Sequence, residues 1–371
     1  MSKIRSLNRR RFFDVLGLGI FAQSCALSFE NETRTLKAET QQSSVFKTRG
    51  IVLSVAELES LNWPRLAKEA NLSTIGTHIT PSQVASFIGS AKGERFLHQC
   101  SELGVQVEHE LHAMEDLLPR DLFAKDRNMF RMNESGDRVT DANFCAHSHD
   151  AIEIICDNAI QYARILPPST SRYFFWMDDA KPMCRCPRCR VYSDSDQALI
   201  LENAMLKALR RNDPRSTLAH LAYLNTLPAP SQVEPAPGIF LEFAPINRSW
   251  DHSLRTLEAT GRDEKTTHGD LLNLLDANLG VFGSEGAQVL EYWLDVSLFS
   301  GWKKSAKVKL PWKLDVFRDD IDTYAKRGIR HITSFGVYLD ADYLERFGDI
   351  GFLTAYGDGL LHYEWPIHGS Q

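Results

Sequence analysis

"GIVLSVAELESLNWPRLAKEANLSTIGTHI", residues 50–79, reads as strand, helix, strand. "GIVLSV" and "STIGTHI" are short β-rich runs, and between them Leu66, Ala67 and Ala70 recur at helical spacing in "NWPRLAKEANL". The residues after the first strand decide between architectures. "SVAELESLNWP" holds no glycine-rich turn, so it offers no backbone cradle for a nucleotide phosphate. An open doubly wound sheet is disfavoured, and the strand count has to settle the rest.

Further strands are predicted in "VQVEHEL", "YFFWM", "TLAHLAYL", "IFLEFAPI", "QVLEYWLDV" and "IRHITSFGV", eight in all counting from Ile51. Helical patterns over 93–103, 150–165, 195–211, 268–279 and 313–327 separate most of them, while the proline-rich "NTLPAPSQVEPAPG" between the fifth and sixth is irregular. Eight alternations over about 320 residues predict an α/β fold of the eight-fold β/α (TIM) barrel type, usually roughly 250 residues, with room for long loops.

The chain of 371 residues is 43% hydrophobic and 24% charged, a globular composition. With 42 basic and 48 acidic residues, its net charge of −6 gives no field that would draw nucleic acid or anionic lipid. The start, "NRRRFFDVLGLGIFAQSCALS", has a basic opening, a short apolar run from Val15 and small residues at its end. Arg9 and Arg10 followed by Phe12 and Phe13 resemble a twin-arginine export signal, with Asn8 and Asp14 departing from the usual pattern. The expectation is a signal over 1–27, a tether over 28–45 and one barrel domain over 46–371, in the periplasm or otherwise exported. The apolar run is too short to span a bilayer comfortably. Cys25 matches a lipid-attachment box poorly, so it is a weak candidate for an anchor.

Barrel chemistry sits where the strands stop. Those ends carry His78; Glu110 and His112; Asp178 and Asp179; Tyr223; Glu242; Tyr292, Trp293 and Asp295; and Ser334. Aromatic faces stack on sugar rings while acids bind hydroxyls and move protons, so the set predicts a carbohydrate site needing no cofactor for catalysis. Taken singly, each residue reads first as a solvated loop end or a satisfied core group; the set carries the functional reading. Neighbouring side chains on a strand face opposite ways, so Asp178 and Asp179 can serve one ligand only where the strand has ended. Close acids repel, which raises the pKa of one and suits it to proton donation. The competing reading is two ionised loop acids neutralised by Lys181, Arg185 or Arg188.

Cys184, Cys186 and Cys189 form C-x-C-x-x-C, and Cys145 in "NFCAHSHD" precedes the fourth strand. Four thiols suit a closed structural zinc or iron site, or two disulfides; either role is structural. Cys100 and Cys156 fall on helical faces as packing residues.

"LPRDLFAKDRNMFRMNESGDRV", "NFCAHSHDAIEI", "WMDDAKPMCRCPRCR" with "SDSDQ" after it, "HLAYLNTLPAP" and "LEFAPI" together resemble a bacterial family without assigned activity, domain of unknown function 4838, described as glycoside-hydrolase-like. The likeness runs from Arg49 to Gly359. More distantly the chain is similar to hexosaminidase-type barrels and, more loosely, to α-glucuronidases. The first resemblance implies a substrate-assisted retaining glycosidase acting on an amino sugar. Asp178 would polarise the acetamido group and Asp179 protonate the leaving oxygen, with Tyr292, Trp293 or Trp302 as clamping aromatics. The second implies an inverting site, with Glu110, Glu242 or Asp295 across a wider gap and a uronate held by Lys181 or Arg185. A non-catalytic carbohydrate-binding protein would keep the aromatic cleft without a working acid pair.

Overall fold

The computed structural model describes residues 44–365; the expected signal over 1–27, Cys25 within it and the tether as far as residue 43 lie outside the described residues. Eight parallel strands close into a barrel in sequential order: β1 (Thr48–Ser54), β2 (Thr74–His78), β3 (Gln106–His112), β4 (Arg172–Trp176), β5 (Thr217–Ala222), β6 (Ile239–Phe243), β7 (Gln288–Glu291) and β8 (His331–Phe335). The eighth strand pairs with the first, Ile51 opposite Ser334. Every expected strand is present, so the barrel reading holds. Among the described residues no helix is long and apolar enough to cross a membrane.

The expected helices are found at Trp63–Glu69, Ala91–Leu103, His149–Ile165, Asp194–Leu209, His268–Phe282 and Leu314–Lys326. Six more were not anticipated: Val55–Ser60, Pro81–Ile88, Met114–Leu117, Val296–Phe299, Ala341–Phe347 and Gly351–Leu361. The first is started by a capping box in which Glu57 accepts from both the N–H and the hydroxyl of Ser54. The last closes the barrel's outside, where the Tyr356 hydroxyl donates to the Gly50 carbonyl at 2.8 Å. The β5–β6 connection is irregular as expected. Its backbone is satisfied by Asp196 Oδ1, which accepts from the N–H groups of Ser231, Gln232 and Val233.

Strand period two sorts the site. Side chains two apart share a face, so the barrel interior is built in layers. One layer joins Glu110, Glu242, Gln288 and Thr333 through the Gln288 amide. The next layer toward the C-terminal mouth carries His78, His112, Trp176 and Phe335, whose rings meet at centroid distances of 5.0–5.7 Å. On β6 and β7 the alternate residues Leu241, Phe243, Glu291 and, just past the strand, Trp293 face the helices instead, and are fully or nearly fully buried there.

Candidate active site

A cavity of about 290 Å³ opens at the barrel mouth, near the lower end of small-molecule sites, which start at roughly 300 Å³. Its walls include His78, His112, Trp176, Tyr223, Tyr292 and Trp302, and its carboxylates are Asp179 and Asp295. Asp179, Tyr223, Ile246 and Trp302 also border a second cavity, so Asp179 stands where the two adjoin.

The neighbouring acids part company. After β4 the chain turns tightly, with the Lys181 N–H donating to the Asp178 carbonyl at 3.2 Å and Ala180 at φ 52°. That turn leaves Asp179 in the cavity with its side chain 62% exposed. Asp178 Oδ2 is instead taken by Arg120 Nη2 at 2.5 Å and the Asn143 N–H at 2.6 Å, and its side chain is only 15% exposed. Asp178 does not line the cavity. The expected neutralising partners were Lys181, Arg185 and Arg188; the partner is Arg120, contributed by the loop after β3, which no local pattern near Asp178 could reveal.

Glu110 and Glu242, expected at strand ends, sit one layer below the cavity. Glu242 Oε2 accepts from Trp176 Nε1 at 2.8 Å, which makes the indole a floor between the two layers. Burial pushes the Glu242 carboxyl up to about 8. Burial, then the nearby Glu242 and Glu108, push Glu110 well above the carboxylate range. Trp293 faces outward, where its Nε1 donates to Asp320 at 3.0 Å and its ring packs on Phe317. Tyr292, one residue earlier, faces inward. Ser334 also lies outside the cavity, accepting from the Leu294 N–H at 3.1 Å.

Both histidines present the same edge. His78 Nδ1 donates to the Glu110 carbonyl and His112 Nδ1 to the Met177 carbonyl, each at 2.7 Å. With Nδ1–H assigned by those acceptors, Nε2 is the open position of both rings. Burial, then the His112 charge, lower His78 to about 3, so it is neutral across the physiological range. His112 Nε2 lies 3.9 Å from Asp179 Oδ1.

Asp295 caps the helix Val296–Phe299 and is 4% exposed. Its Oδ1 accepts from the Ser297 N–H and hydroxyl and from the Leu298 N–H. Burial outweighs those bonds and raises its pKa to about 6, with the Glu57 charge adding to the rise. Tyr223 and Tyr292 are held protonated, chiefly by burial; Asp179 adds to the effect on Tyr223, and Tyr223 with Asp295 to that on Tyr292. They are therefore hydroxyl donors beside the two acids.

Sequence reading missed Trp176, Phe335, Tyr338 and the Ser54–Glu57 pair. Period two back from Asp178 would have pointed at Trp176, the opposite parity from the expected Ser334 at Phe335, and S-x-x-E at the last. A further mark of the site is backbone strain: Ala180, Leu224, Trp302 and Tyr338, all around the two cavities, have φ between 45° and 71°. Such conformations persist where surrounding structure over-determines them.

The four expected cysteines converge. Their Sγ atoms lie within 4.8 Å of one another, all buried, with Cys145 at 3.9 Å from Cys186 and 3.7 Å from Cys189. None is bonded to another, so the two-disulfide alternative is not what the structure contains. Cys100 is buried and Cys156 half-buried on their helices.

Residues 36–268, more than half of the chain, match the family model described as Domain of unknown function (DUF4838). The chain belongs to this family. No curated protein matches it. Among solved structures, the fold is similar to a β-N-acetylhexosaminidase from Bacteroides fragilis, at 12% identity and a TM-score of 0.52 over 88% of this chain and 68% of that one. A glycoside hydrolase family 5 enzyme from Prevotella bryantii aligns at 11% identity and a TM-score of 0.47 over 86% of this chain and 98% of that one. At such identities the likeness extends to the fold alone, an eight-fold β/α barrel.

Proposed function

We propose that this chain is a glycoside hydrolase that seats one sugar unit in the aromatic cavity and cleaves its glycosidic bond between Asp179 and Asp295. The observation that carries the reading is the placement of these two carboxylates at the exits of β4 and β7, on the walls of one aromatic cavity. Asp179 also borders the second cavity, where a leaving group would lie. It is the proton donor to the bond that crosses between the two, and His112 Nε2 is beside it to exchange that proton. Asp295, deeper and ionised above about 6, supports the positive charge that develops at the anomeric carbon. Tyr223 and Tyr292 donate to sugar oxygens, and Trp176 and Trp302 offer ring faces.

An amino sugar remains the substrate to test first, supported by the barrel's likeness to a β-N-acetylhexosaminidase. Asp295 with Tyr292, rather than Asp178, would then orient the acetamido group, because Asp178 is committed to Arg120 and Asn143. A uronate-selective site is less favoured, since Arg185 is paired with Glu134 and Asp194. In this reading the enzyme acts after export, and its cysteine cluster is a closed structural metal site without a position open to substrate.

The test is a panel of aryl glycosides, hexosaminides first, against the wild type, Asp179→Asn and Asp295→Asn, with sugar binding followed by calorimetry. Hydrolysis lost in both variants while binding persists supports the proposal. Binding without hydrolysis in the wild type would make it a carbohydrate-binding protein, and hydrolysis that survives both substitutions would sink the assignment of these acids.

A further inference from the structure

We infer that Cys145, Cys184, Cys186 and Cys189 hold one tetrahedral metal ion, zinc or iron, and that this clasp fixes the position of Asp179 through Asn143. The sulfur geometry comes first. A tetrahedron with metal–sulfur bonds of about 2.3 Å has edges of about 3.8 Å, and the sulfurs of Cys145, Cys186 and Cys189 are spaced at 3.7 and 3.9 Å. A disulfide would require sulfurs about 2.05 Å apart. A multi-iron cluster with its own sulfides would hold the four thiolates further apart than the 4.8 Å within which all of them lie.

Donors converge on the sulfurs as they do on thiolates. The Met132 N–H points at Cys184 at 3.3 Å and Arg138 Nη1 at Cys184 at 3.6 Å, and His147 Nδ1 lies 3.3 Å from Cys189 Sγ, where one tautomer of the ring would donate to it. Hydrogen bonds and a guanidinium beside a buried tetrathiolate site offset its excess negative charge. Four protein ligands leave no open coordination position, so the ion holds structure and takes no part in bond cleavage.

The clasp also has a short path to the proposed acid. Cys184 lies five positions after Asp179, and Cys145 two after Asn143. Asn143 joins the two segments: its Nδ2 donates to the carbonyls of Lys181 at 3.2 Å and Pro182 at 3.1 Å, its N–H donates to Asp178 Oδ2, and its Oδ1 accepts from the Asp178 N–H at 2.9 Å. Its backbone is left-handed at φ 45°, a conformation that its surroundings must enforce. The ion would tie the segment of Asn143 to the one that follows Asp179 at the sulfurs, adding to the bonds of Asn143 and of Arg120 that already join them. The cysteines and Asn143 are positioning residues.

This coupling rests on the proposed hydrolase function for its kinetic readout, whereas the metal site does not. Metal is counted by plasma mass spectrometry on the purified full chain, with about one ion per chain expected. Colour identifies iron; a colourless protein that takes up cobalt with tetrahedral absorption identifies zinc. Cys145→Ser and Cys189→Ser lose the ion, and Cys100→Ser keeps it. A wild-type chain without stoichiometric metal, whether its four thiols titrate freely or its mass shows disulfides, overturns the site. For the coupling, Asn143→Gly keeps the backbone conformation and the metal but removes the side-chain bonds to Lys181, Pro182 and the Asp178 N–H. Its kcat should fall roughly 10- to 100-fold with KM nearly unchanged, the scale of a displaced catalytic group. Hydrogen exchange over residues 178–182 should quicken both in this variant and after chelation, and slow again when metal is restored. Unchanged exchange there refutes the coupling even in a chain that hydrolyses nothing, and metal-bound protein without hydrolysis counts against the proposed function alone.

Discussion

Asp178 and Asp179 are adjacent in sequence but should fail in opposite ways when removed. Asp178→Ala deletes the acceptor of two charge-assisted hydrogen bonds, from Arg120 at 2.5 Å and the Asn143 N–H at 2.6 Å, on a side chain that is 15% exposed. Such bonds are worth about 1.5–3 kcal/mol each, and breaking a mostly buried pair leaves the partner charge uncompensated. Arg120 keeps its second bond, Nη1 to the Asn143 carbonyl at 2.8 Å, so the expected loss is about 2–4 kcal/mol. With a urea slope of about 3 kcal/mol/M, that lowers the unfolding midpoint by about 1 M. Asp179→Ala removes a 62% exposed side chain whose ion-pair approach is a 3.9 Å contact to His112. It should shift stability by no more than about 0.5 kcal/mol while abolishing hydrolysis. The assay is tryptophan-monitored urea unfolding beside turnover of an aryl glycoside, with Arg120→Ala completing a double-mutant cycle. An Asp178→Ala variant as stable as the wild type but as inactive as Asp179→Ala would refute the division and restore a catalytic pair.

Further outcomes follow from the same geometry. The pKa of Asp295 is raised from 3.8 to about 6, so the stability it contributes is full below 3.8 and is lost as pH rises through about 6, a loss of roughly 3 kcal/mol. Because hydrolysis needs the ionised form, kcat/KM should rise through a limb near that value, and a limb that falls there instead would make Asp295 the acid. Trp302→Ala, removing a ring that is 58% exposed on both cavities, should raise KM roughly 2- to 10-fold with an unchanged urea midpoint; an unchanged KM would remove it from the sugar site. Arg248→Met strands Glu291 and Asp320, each 2.7 Å from a fully buried guanidinium, and should cost about 3–5 kcal/mol, read as a lower unfolding midpoint.

Local pattern was enough for the barrel because each strand is a short apolar run bounded by polar residues, and each long helix has its own period. The helix Val55–Ser60 escaped because it is short and continues directly from β1, without a turn signal to separate them. In the site, parity within a strand separates Tyr292 from Trp293, yet applying it requires the strand's end to within one residue. Glu110 and Glu242 show the cost: one pair-step of error moves a side chain from the cavity into the layer beneath its tryptophan floor.

The sequence by itself determined the eight-fold alternation, the acids at the exits of the fourth and seventh strands, and the cysteines available for a clasp. Those are properties of neighbours along the chain, set by period, polarity and spacing. Only the tertiary structure decided that Asp178 turns to Arg120 while Asp179 meets the cavity, that Asp295 faces the same space, and that Cys145 completes a set of four. Each of those depends on which distant residue supplies the partner: the loops after β3 and β4 meet when those two strands pair, whereas Asp295, after β7, shares a cavity with Asp179 only in the closed barrel.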